Sequence, residues 1–425
     1  MKEEFLHFIF KNRLWNKSQL CLTDGRLFEI VDVGHHNQDS GPDFFNSKIK
    51  IDDTVWVGSI EIHINSSDWY KHKHQNDLAY SNVILHVVYK HDEEVFYSND
   101  KPIPVWEISF PQVLYNKYSE LKNNETDIPC AEYIDMVDKF KLGMWLERMG
   151  VERLEYKSSI IDDYLSRSNN DWEYAFYLSL SRSFGGGLNS FAFEQLAIST
   201  PLKLVRKYSD SQFKLEALLF GQSGLLEDAI VDDYVIKLKT EYNYLRNLYK
   251  LSPIPAHYWK FSKLRPANFP QIKIAQLVSV LQGFQALFSE VIIESDKSKL
   301  FKYFKVNVSE YWKTHYVFGK PVDKTSSGFG KTLFESIVIN TLAPFIFKYF
   351  KDMPDSNNGI NHYSILSGIK PENNRHIRIW KKLGFEPHDA FSSQALLHLK
   401  KYYCDKRNCL TCQIGHNIMQ QISKI

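Results

Sequence analysis

The stretch DFFNSKIKIDDTVWVGSIEIHI, residues 43–64, decides the fold of the N-terminal part of the chain. Apolar and β-branched residues alternate with polar ones on both sides of the acidic turn at 52–54, which is the pattern of an antiparallel hairpin. The runs RLFEIVDVG (26–34) and NVILHVVY (82–89) have the same strand character, and residues 3–16 carry apolar side chains at helical spacing. These patterns predict an α/β domain built on a mixed sheet.

The hairpin places three titratable residues on one wall. A three-residue loop pairs Ile51 with Val55 and, at the open end, Asp43 with His63. Because side chains alternate between the two faces of a strand, Asp43, Glu61 and His63 then share one face, and a register change of one residue would separate Asp43 from the other two. Carboxylates on an inward face need a cationic partner, so we expect a bound metal there.

Histidines are concentrated around this hairpin. Seven of the 15 histidines lie in the 57 residues from His35 to His91, interleaved with carboxylates. Imidazoles and carboxylates together are what a divalent cation or a general acid–base pair requires, although ordinary surface polarity explains any single histidine equally well. The residues expected to support the site are Lys71, His72, Lys73, His74, Asp77 and His86.

Three of these supporting residues have alternative roles. His72 and His74 are two positions apart, so a helix would separate them by about 200°, whereas a loop or extended chain would align them. Asp77 is either a helix cap or a partner that orients a neighbouring imidazole. His86 alternates with apolar residues in its strand and is interpreted first as a buried structural histidine.

Pro42-Asp43 is followed after 18 residues by Glu61-Ile62-His63, within a helix–strand–strand–strand–helix–strand order. This arrangement resembles the PD-(D/E)xK core of restriction-endonuclease-like phosphodiesterases. The resemblance implies that Asp43 and Glu61 hold Mg²⁺ or Mn²⁺ for attack on a phosphodiester. His63 stands where that family has lysine, a departure that puts catalysis in question. Three lysines could supply the missing charge from other positions: Lys48, Lys71 and Lys73.

The chain as a whole resembles an uncharacterised bacterial family of unknown function, through segments such as GPDFFNSKI (41–49) and RPANFP (265–270). The leading hypothesis is therefore a metal-dependent phosphodiesterase acting on DNA or RNA. One alternative is a non-catalytic nucleic-acid-binding or scaffold protein on a degenerate nuclease fold. The other is a metal hydrolase that uses histidine and aspartate on a small phosphorylated substrate.

The chain of 425 residues is long enough for two or three cores. We expect an α/β nuclease-like domain at 1–116, a polar linker at 117–134, a helical domain at 135–350, and a helical C-terminal segment with a cysteine cluster at 351–425. The helical part follows from apolar periodicity replacing β-type alternation.

Near the C-terminal end, three of the five cysteines and one histidine follow one another at metal-site spacing: Cys404, Cys409, Cys412 and His416. A structural zinc site of the Cys₃His type is the simplest prediction, and unligated buried thiols are the alternative. An iron–sulfur cluster is the rival, with Cys21 or Cys130 as fourth ligand. One cysteine earlier in the chain, followed by three near its C-terminal end, is an order that resembles that of some PD-(D/E)xK nucleases.

Charge and hydropathy constrain the partners. With 52 basic and 50 acidic residues the formal net charge is +2, so a nucleic acid would have to bind a local patch. Lys263 and Arg265, beside Tyr258 and Trp259, offer cations and stacking rings for a single strand, although a buried polar network explains this region as well. No apolar stretch reaches the roughly 20 residues of a membrane span, and the first residues lack a signal-peptide core, so we expect a cytoplasmic protein. The sequence leaves the oligomeric state open.

Overall fold

A computed structural model describes the chain except for residues 17, 38, 228, 230–231, 295, 306, 324, 326–328, 355–363 and 424–425. The chain divides into two compact units. The first unit comprises Met1–Trp145 together with Leu399–Ile425, and the second comprises Leu146–His398. The predicted mixed sheet in the N-terminal part and the mainly helical character of the remainder are both confirmed.

The first unit is built on a seven-stranded sheet in the order β1-β2-β4-β5-β6-β7, with β3 paired to β4. The pairs from β1 to β5 are antiparallel, whereas β5, β6 and β7 run parallel. The strands are β1 (Leu20–Cys21), β2 (Leu27–Asp32), β3 (His35–His36), β4 (Phe44–Ile51), β5 (Thr54–Asn65), β6 (Val83–Lys90) and β7 (Val105–Glu107).

The central hairpin has a different register from the one expected. Ile51 pairs with Thr54 and Lys50 pairs with Val55, so the loop contains two residues, Asp52 and Asp53, and the prediction of a three-residue loop was wrong. Asp52 adopts the left-handed conformation with a φ of 50°, which suits the tight turns that join antiparallel strands.

A bulge near the open end of the hairpin shifts the register again. Ser47 pairs with Gly58, but Phe44 pairs with Ile60, so β4 has one more residue than β5 over this interval. Asn46, inside the bulge, has a φ of 55°, which asparagine tolerates better than most residues do. Because of the bulge, the residue that precedes β4 lies beside the polar end of β5.

Helix α1 (Glu3–Lys11) covers this sheet with its apolar face, on which Phe5, Leu6, Ile9 and Phe10 are fully buried. Between β5 and β6 the chain forms the one-turn helix α2 (Asp68–Lys71) and two 3₁₀ turns, His74–Asn76 and Leu78–Tyr80. A small core beneath this connection consists of Trp69, Val83, Val88, Val95, Ile103 and Val105.

Part of the segment predicted as a linker is helical. Helix α3 (Gln112–Asn123) buries Leu114, Tyr118 and Leu121, and a 3₁₀ helix follows at Ala131–Met136. Both pack with α18 (Gln413–Ile422), which explains why the C-terminal segment belongs to the first unit.

The second unit is a helical domain around a large apolar core that contains Phe176, Phe220, Trp312 and Phe345. Most of its helices are 8 to 17 residues long and each contributes a buried face. In chain order the helices are α4 (Lys139–Arg167), which begins in the first unit, α5 (Trp172–Phe184), α6 (Gly186–Ser199), α7 (Leu202–Lys207), α8 (Gln212–Gln222), α9 (Asp233–Tyr249), α10 (Pro270–Leu281), α11 (Phe284–Ile293), α12 (Lys297–Phe304), α13 (Lys331–Ile337), α14 (Ala343–Asp352), α15 (Ser364–Ser367), α16 (Arg375–Lys382) and α17 (Ala390–Leu399).

Two short π-helices interrupt the regular helices, at Val338–Leu342 and Lys400–Cys404. Among the described residues, the continuous helical stretch Lys331–Asp352 has the length and apolar composition of a membrane span. The helices Pro270–Leu281 and Phe284–Ile293 reach that length and composition only when they are taken together, and they are bent by 74° relative to each other. About two thirds of the apolar window in Lys331–Asp352 is buried in the protein, as in the core helix of a globular domain.

Candidate metal centre

The polar end of β5 supplies a carboxylate and an imidazole to the interior of the first unit. Glu61 and His63 lie two positions apart and therefore on the same face, and both are buried. In the parallel pairing of β5 with β6, Glu61 is the partner of His86, which is completely buried. Three titratable groups are thus positioned by the backbone of two neighbouring strands.

Two more imidazoles reach the same place from the connection that follows β5. Helix α2 ends at Lys71, and Lys73 adopts a left-handed conformation with a φ of 61° before the next 3₁₀ turn begins at His74. This break in the helix turns His72 and His74 toward a common point, which a continuous helix would prevent. His74 is buried, whereas His72 is exposed and forms the solvent side of the cluster.

The resulting arrangement has the dimensions of a metal site. Ligand nitrogens of His63, His72 and His74 all lie within 4.8 Å of one another, and His63 Nε2 is 3.1 Å from His72 Nδ1. Glu61 Oε1 is 3.4 Å from His63 Nε2 and 3.3 Å from His74 Nε2. Donors bound at about 2.0–2.1 Å to one tetrahedral zinc ion are about 3.3–3.4 Å apart, so these short separations match a shared cation.

His86 fixes the orientation of His63. Its Nε2 lies 2.8 Å from His63 Nδ1. If His63 Nδ1–H donates this hydrogen bond, the lone pair of His63 Nε2 faces the cluster, which is the tautomer that a metal ligand requires. Burial, followed by the effect of His74, lowers the pKa of His86 to about 3, so His86 is neutral and able to accept the bond.

The electrostatics of the cluster also favour a cation. Burial, and then the charge of Asp43, raise the pKa of Glu61 to about 9. Burial and the neighbouring imidazoles lower the pKa of His63 to about 2, and burial lowers that of His74. His63 and His74 are therefore in the neutral, ligating form at physiological pH, while the Glu61 carboxyl group lacks the positive charge that would stabilise its ionised form.

Asp43, which directly precedes β4, lies next to Glu61 as a consequence of the bulge. Its backbone N–H donates to Glu61 Oε2 over 3.1 Å, and its own Oδ2 accepts a hydrogen bond of 2.9 Å from the backbone N–H of Ile62. Asp43 Oδ2 is also 3.2 Å from His7 Nε2. Asp43 is therefore next to the cluster and bound to its framework, but its oxygen is already engaged by two donors.

The sequence analysis missed two residues on α1. His7 faces Asp43, and the hydrogen bond and charge of Asp43 outweigh the effect of burial and raise the pKa of His7. Glu3, one turn earlier on the same helical face, has a pKa raised first by burial and then by Asp43. The spacing of four residues, which places Glu3 and His7 on one face of α1, was the available signal.

The predicted supporting residues outside the cluster have ordinary roles. Lys71 is exposed and pairs with Asp68 over 2.5 Å, and Lys48 and Lys73 are exposed as well. The carboxylate of Asp77 accepts the backbone N–H of Ala79 over 2.9 Å and so caps the 3₁₀ turn that follows, as one of the two alternatives anticipated.

A pocket of about 310 Å³ lies beside the cluster. His74 forms part of its wall, together with Trp69 and with Tyr80, whose ring stacks on His74 at a centroid distance of 3.8 Å. Lys101 supplies a cation on the lining. The volume is near the lower end of the range for small-molecule sites.

In the second unit, the predicted nucleic-acid patch is only partly present. Lys263 and Arg265 are exposed. However, Trp259 is buried in the core and donates its indole N–H to the carbonyl of Ser223 over 2.8 Å, so the expectation that it stacks on a base was wrong. Tyr258 is half-buried against Phe191.

His416, predicted as a metal ligand beside three cysteines, lies on α18, and its ring packs edge-on against Phe8 at a centroid distance of 5.5 Å. Burial, and then the charges of Lys11 and Lys141, lower the pKa of His416. Cys404, Cys409 and Cys412 also have Cys130 as a neighbour in the first unit.

The fold and the cluster define an α/β protein with a candidate histidine–carboxylate metal centre, continued by a large helical unit. The chain belongs to the family described as "Protein of unknown function (DUF2851)", which matches residues 3–375. Comparisons with curated proteins and with solved structures found no match. The family description names no activity, so a functional assignment has to rest on the chemistry of the site.

Proposed function

We propose that the first unit is a metal-dependent phosphodiesterase whose cation is held by His63, His72 and His74. The single observation that carries the proposal is the convergence of these three nitrogens within 4.8 Å, with Glu61 Oε1 3.3 to 3.4 Å from two of them. Three imidazoles favour zinc over Mg²⁺, which prefers oxygen ligands. Mg²⁺ or Mn²⁺, implied by the resemblance to PD-(D/E)xK enzymes, would rely more heavily on Asp43 and Glu61.

Three protein ligands leave a coordination position for water or substrate, as in catalytic zinc sites. When bound, such an ion acts as a Lewis acid and lowers the pKa of a coordinated water. With an ion bound, its positive charge would favour the ionised form of Glu61. The carboxylate, which contacts two of the ligands, would then be placed to accept the proton of the attacking water. Asp43 holds the Glu61 carboxylate in position through its backbone N–H, and His86 orients His63.

The choice of a phosphodiester rests on the order of elements and on the acidic pair. Helix α1 is followed in the sheet by the antiparallel strands β2, β4 and β5 and by β6, which runs parallel to β5. Asp43 directly precedes β4 and Glu61 lies on β5, an order that resembles the PD-(D/E)xK arrangement. His63 replaces the lysine of that family. In this proposal the replacement is functional, since an imidazole adds a ligand where the lysine would have added a charge.

A second candidate, hydrolysis of a small phosphorylated molecule, is favoured by the pocket of about 310 Å³ next to His74. The pocket has a size suited to a small ligand, and Lys101 on its lining can pair with a phosphate. The two candidates share the metal and differ in the substrate.

The test is a hydrolysis panel with the purified full chain and added Zn²⁺, Mn²⁺ or Mg²⁺. Labelled single-stranded DNA, duplex DNA and RNA represent the first candidate, and nitrophenyl phosphate mono- and diesters represent the second. We expect Glu61→Gln, which keeps the size of the side chain, to lose about 100-fold or more of the activity. His35→Ala removes an exposed histidine of the same sheet and serves as the matched control.

Equal activity in Glu61→Gln and wild type would reject the assignment of the site. Tight metal binding without turnover of any substrate would reject the enzyme and favour the non-catalytic binding protein.

A further inference from the structure

Four cysteines from distant parts of the chain lie near one another in the first unit. Cys130 precedes the 3₁₀ helix Ala131–Met136, Cys404 ends the π-helix Lys400–Cys404, Cys409 lies in the following loop, and Cys412 directly precedes α18. Three of the four are buried, Cys409 is half-buried, and none is in a disulfide.

The two segments that carry these cysteines are tied together by polar contacts. Arg407 donates through Nη1 to the carbonyl of Cys404 over 2.6 Å and through Nη2 to the carbonyl of Thr126 over 3.1 Å. Lys400 Nζ is 3.3 Å from Asp127 Oδ1. The loop before Cys130 is therefore held directly against the segment that contains the other three cysteines.

The thiols are close enough to affect one another's ionisation. Burial, and then the neighbouring Cys412 and Cys409, raise the pKa of Cys130 to about 12. Burial, followed by Cys130, Cys412 and Cys409, raises the pKa of Cys404 above its usual range. Cysteines gathered in this way are the ligands that structural zinc and iron–sulfur centres use.

The start of α18 lies beside one of the thiols. The backbone N–H groups of Ile414 and Gly415 lower the pKa of Cys412 and so oppose the effect of burial. Gly415 also lies so close to the chain that an added Cβ would be 2.1 Å from the carbonyl oxygen of Cys409. The absence of a side chain at Gly415 allows the Cys409 loop to close over the start of α18.

A cluster and a single ion require different spacings of the sulfurs. Four thiolates on one zinc ion are about 3.8 Å apart, because each Zn–S bond is about 2.3 Å long. Within the described part of the chain, the histidine trio is the one group of three or more metal-ligand residues whose donor atoms lie within 4.8 Å of one another, so no three of these sulfurs are packed that tightly. A four-iron cluster holds its thiolates farther apart, since each thiolate binds a different iron.

We propose that Cys130, Cys404, Cys409 and Cys412 bind a [4Fe–4S] cluster that joins the loop at 124–130 to the C-terminal segment of the first unit. The ligand set replaces His416 by Cys130. The cluster is a structural element, separate from the histidine site.

The experiment is metal analysis of the full chain purified without oxygen. We expect about four irons and four acid-labile sulfides per chain and absorption near 400 nm. Cys130→Ser and, as a less buried second position, Cys409→Ser should lose most of the iron and the absorption band. Two controls should keep both: Cys21→Ser, which changes the exposed cysteine on β1, and His416→Ala.

A wild-type protein that contains one zinc and no iron would overturn the proposal, as would loss of the cluster in His416→Ala. If Cys130→Ser is insoluble, the wild-type iron and sulfide content and the Cys409→Ser variant still decide the question. His72→Ala should leave the iron content unchanged, so failure of this proposal and failure of the hydrolase proposal are separable.

Discussion

Replacement of His72 by alanine is the most direct test of the histidine centre. His72 is exposed, so its removal leaves the core intact, yet its Nδ1 is 3.1 Å from the Nε2 of His63. We expect the variant to fold as the wild type does and to bind zinc much more weakly, because the site loses one of its three imidazoles.

The size of the effect follows from the number of donors. A structural zinc site with four donors has an apparent binding free energy of about 10–16 kcal/mol, or roughly 3 kcal/mol for each donor. Since 1.4 kcal/mol corresponds to a factor of ten, the loss of His72 should weaken zinc binding about 100-fold. At free zinc equal to about 100 times the wild-type Kd, zinc should stabilise the wild type by about 2.7 kcal/mol and the variant by about 0.4 kcal/mol.

The assay is competition with a coloured zinc chelator at neutral pH, paired with denaturant unfolding at matched free zinc. His35→Ala is the control for loss of an exposed histidine from the same unit. An unchanged affinity in His72→Ala, or an equal loss in His35→Ala, would refute the geometric argument.

Three further predictions concern single residues. His86→Phe keeps a buried ring but removes the hydrogen-bond acceptor that lies 2.8 Å from His63 Nδ1. Zinc affinity, measured by the same chelator competition, should therefore fall about 10–100-fold, and it should fall more than in His86→Gln. Equal affinities in the wild type and both variants would contradict the orienting role of His86. Burial raises the pKa of Glu216 to about 7, so the folded state binds this proton more tightly than the unfolded state and stability falls as pH rises from about 4.5 to about 7. The free energy of unfolding of Glu216→Gln, measured by denaturant titration, should therefore rise relative to that of the wild type by up to about 3 kcal/mol between about pH 5 and pH 8. A difference between the two proteins that does not change with pH would contradict this prediction. Gly34 has a φ of 77°, and an added Cβ would be 2.2 Å from the carbonyl oxygen of Phe45, so Gly34→Ala should destabilise the first unit by about 2 kcal/mol or more. Gly143→Ala, in an open helical position, should instead stabilise it by about 0.5–1 kcal/mol, and thermal unfolding that shows the same sign for both would contradict this reasoning.

The strands of the first unit could be predicted from alternation, but their register could not. The loop of the hairpin contains two residues rather than three. By itself, this shift of one residue would have placed Asp43 and Glu61 on opposite faces of the sheet. The bulge at Asn46 shifts the register once more and restores their proximity. The residues at 45–46 do not predict a bulge, because the position of a bulge depends on packing in the folded sheet.

The histidine cluster, too, could be predicted only in part from the sequence. Glu61 and His63 were identified from their spacing, and the alignment of His72 with His74 was anticipated for a non-helical chain. His7 was missed, because only the packing of α1 on the sheet brings it to Asp43. Contacts between distant segments are set by tertiary structure, which local periodicity does not encode.

Helix α3 covers part of the segment that its polar composition predicted as a linker, 117–134. Leu114, Tyr118 and Leu121 follow the i, i+4, i+7 spacing of an amphipathic helix, and all three are buried. The helix is therefore visible in the periodicity of the segment and hidden in its composition.

The division of the first unit into two stretches of chain has a consequence for biosynthesis. Met1–Trp145 leaves the ribosome first, but Leu399–Ile425 emerges only after the whole intervening unit, which is more than half of the chain, has been translated. Cys130 and the apolar face of α3 therefore lack α18 and the three C-terminal cysteines while the helical unit is being synthesised. A ribosome stalled within the helical unit would display a nascent sheet that already carries its histidines and still lacks three of its four neighbouring thiols.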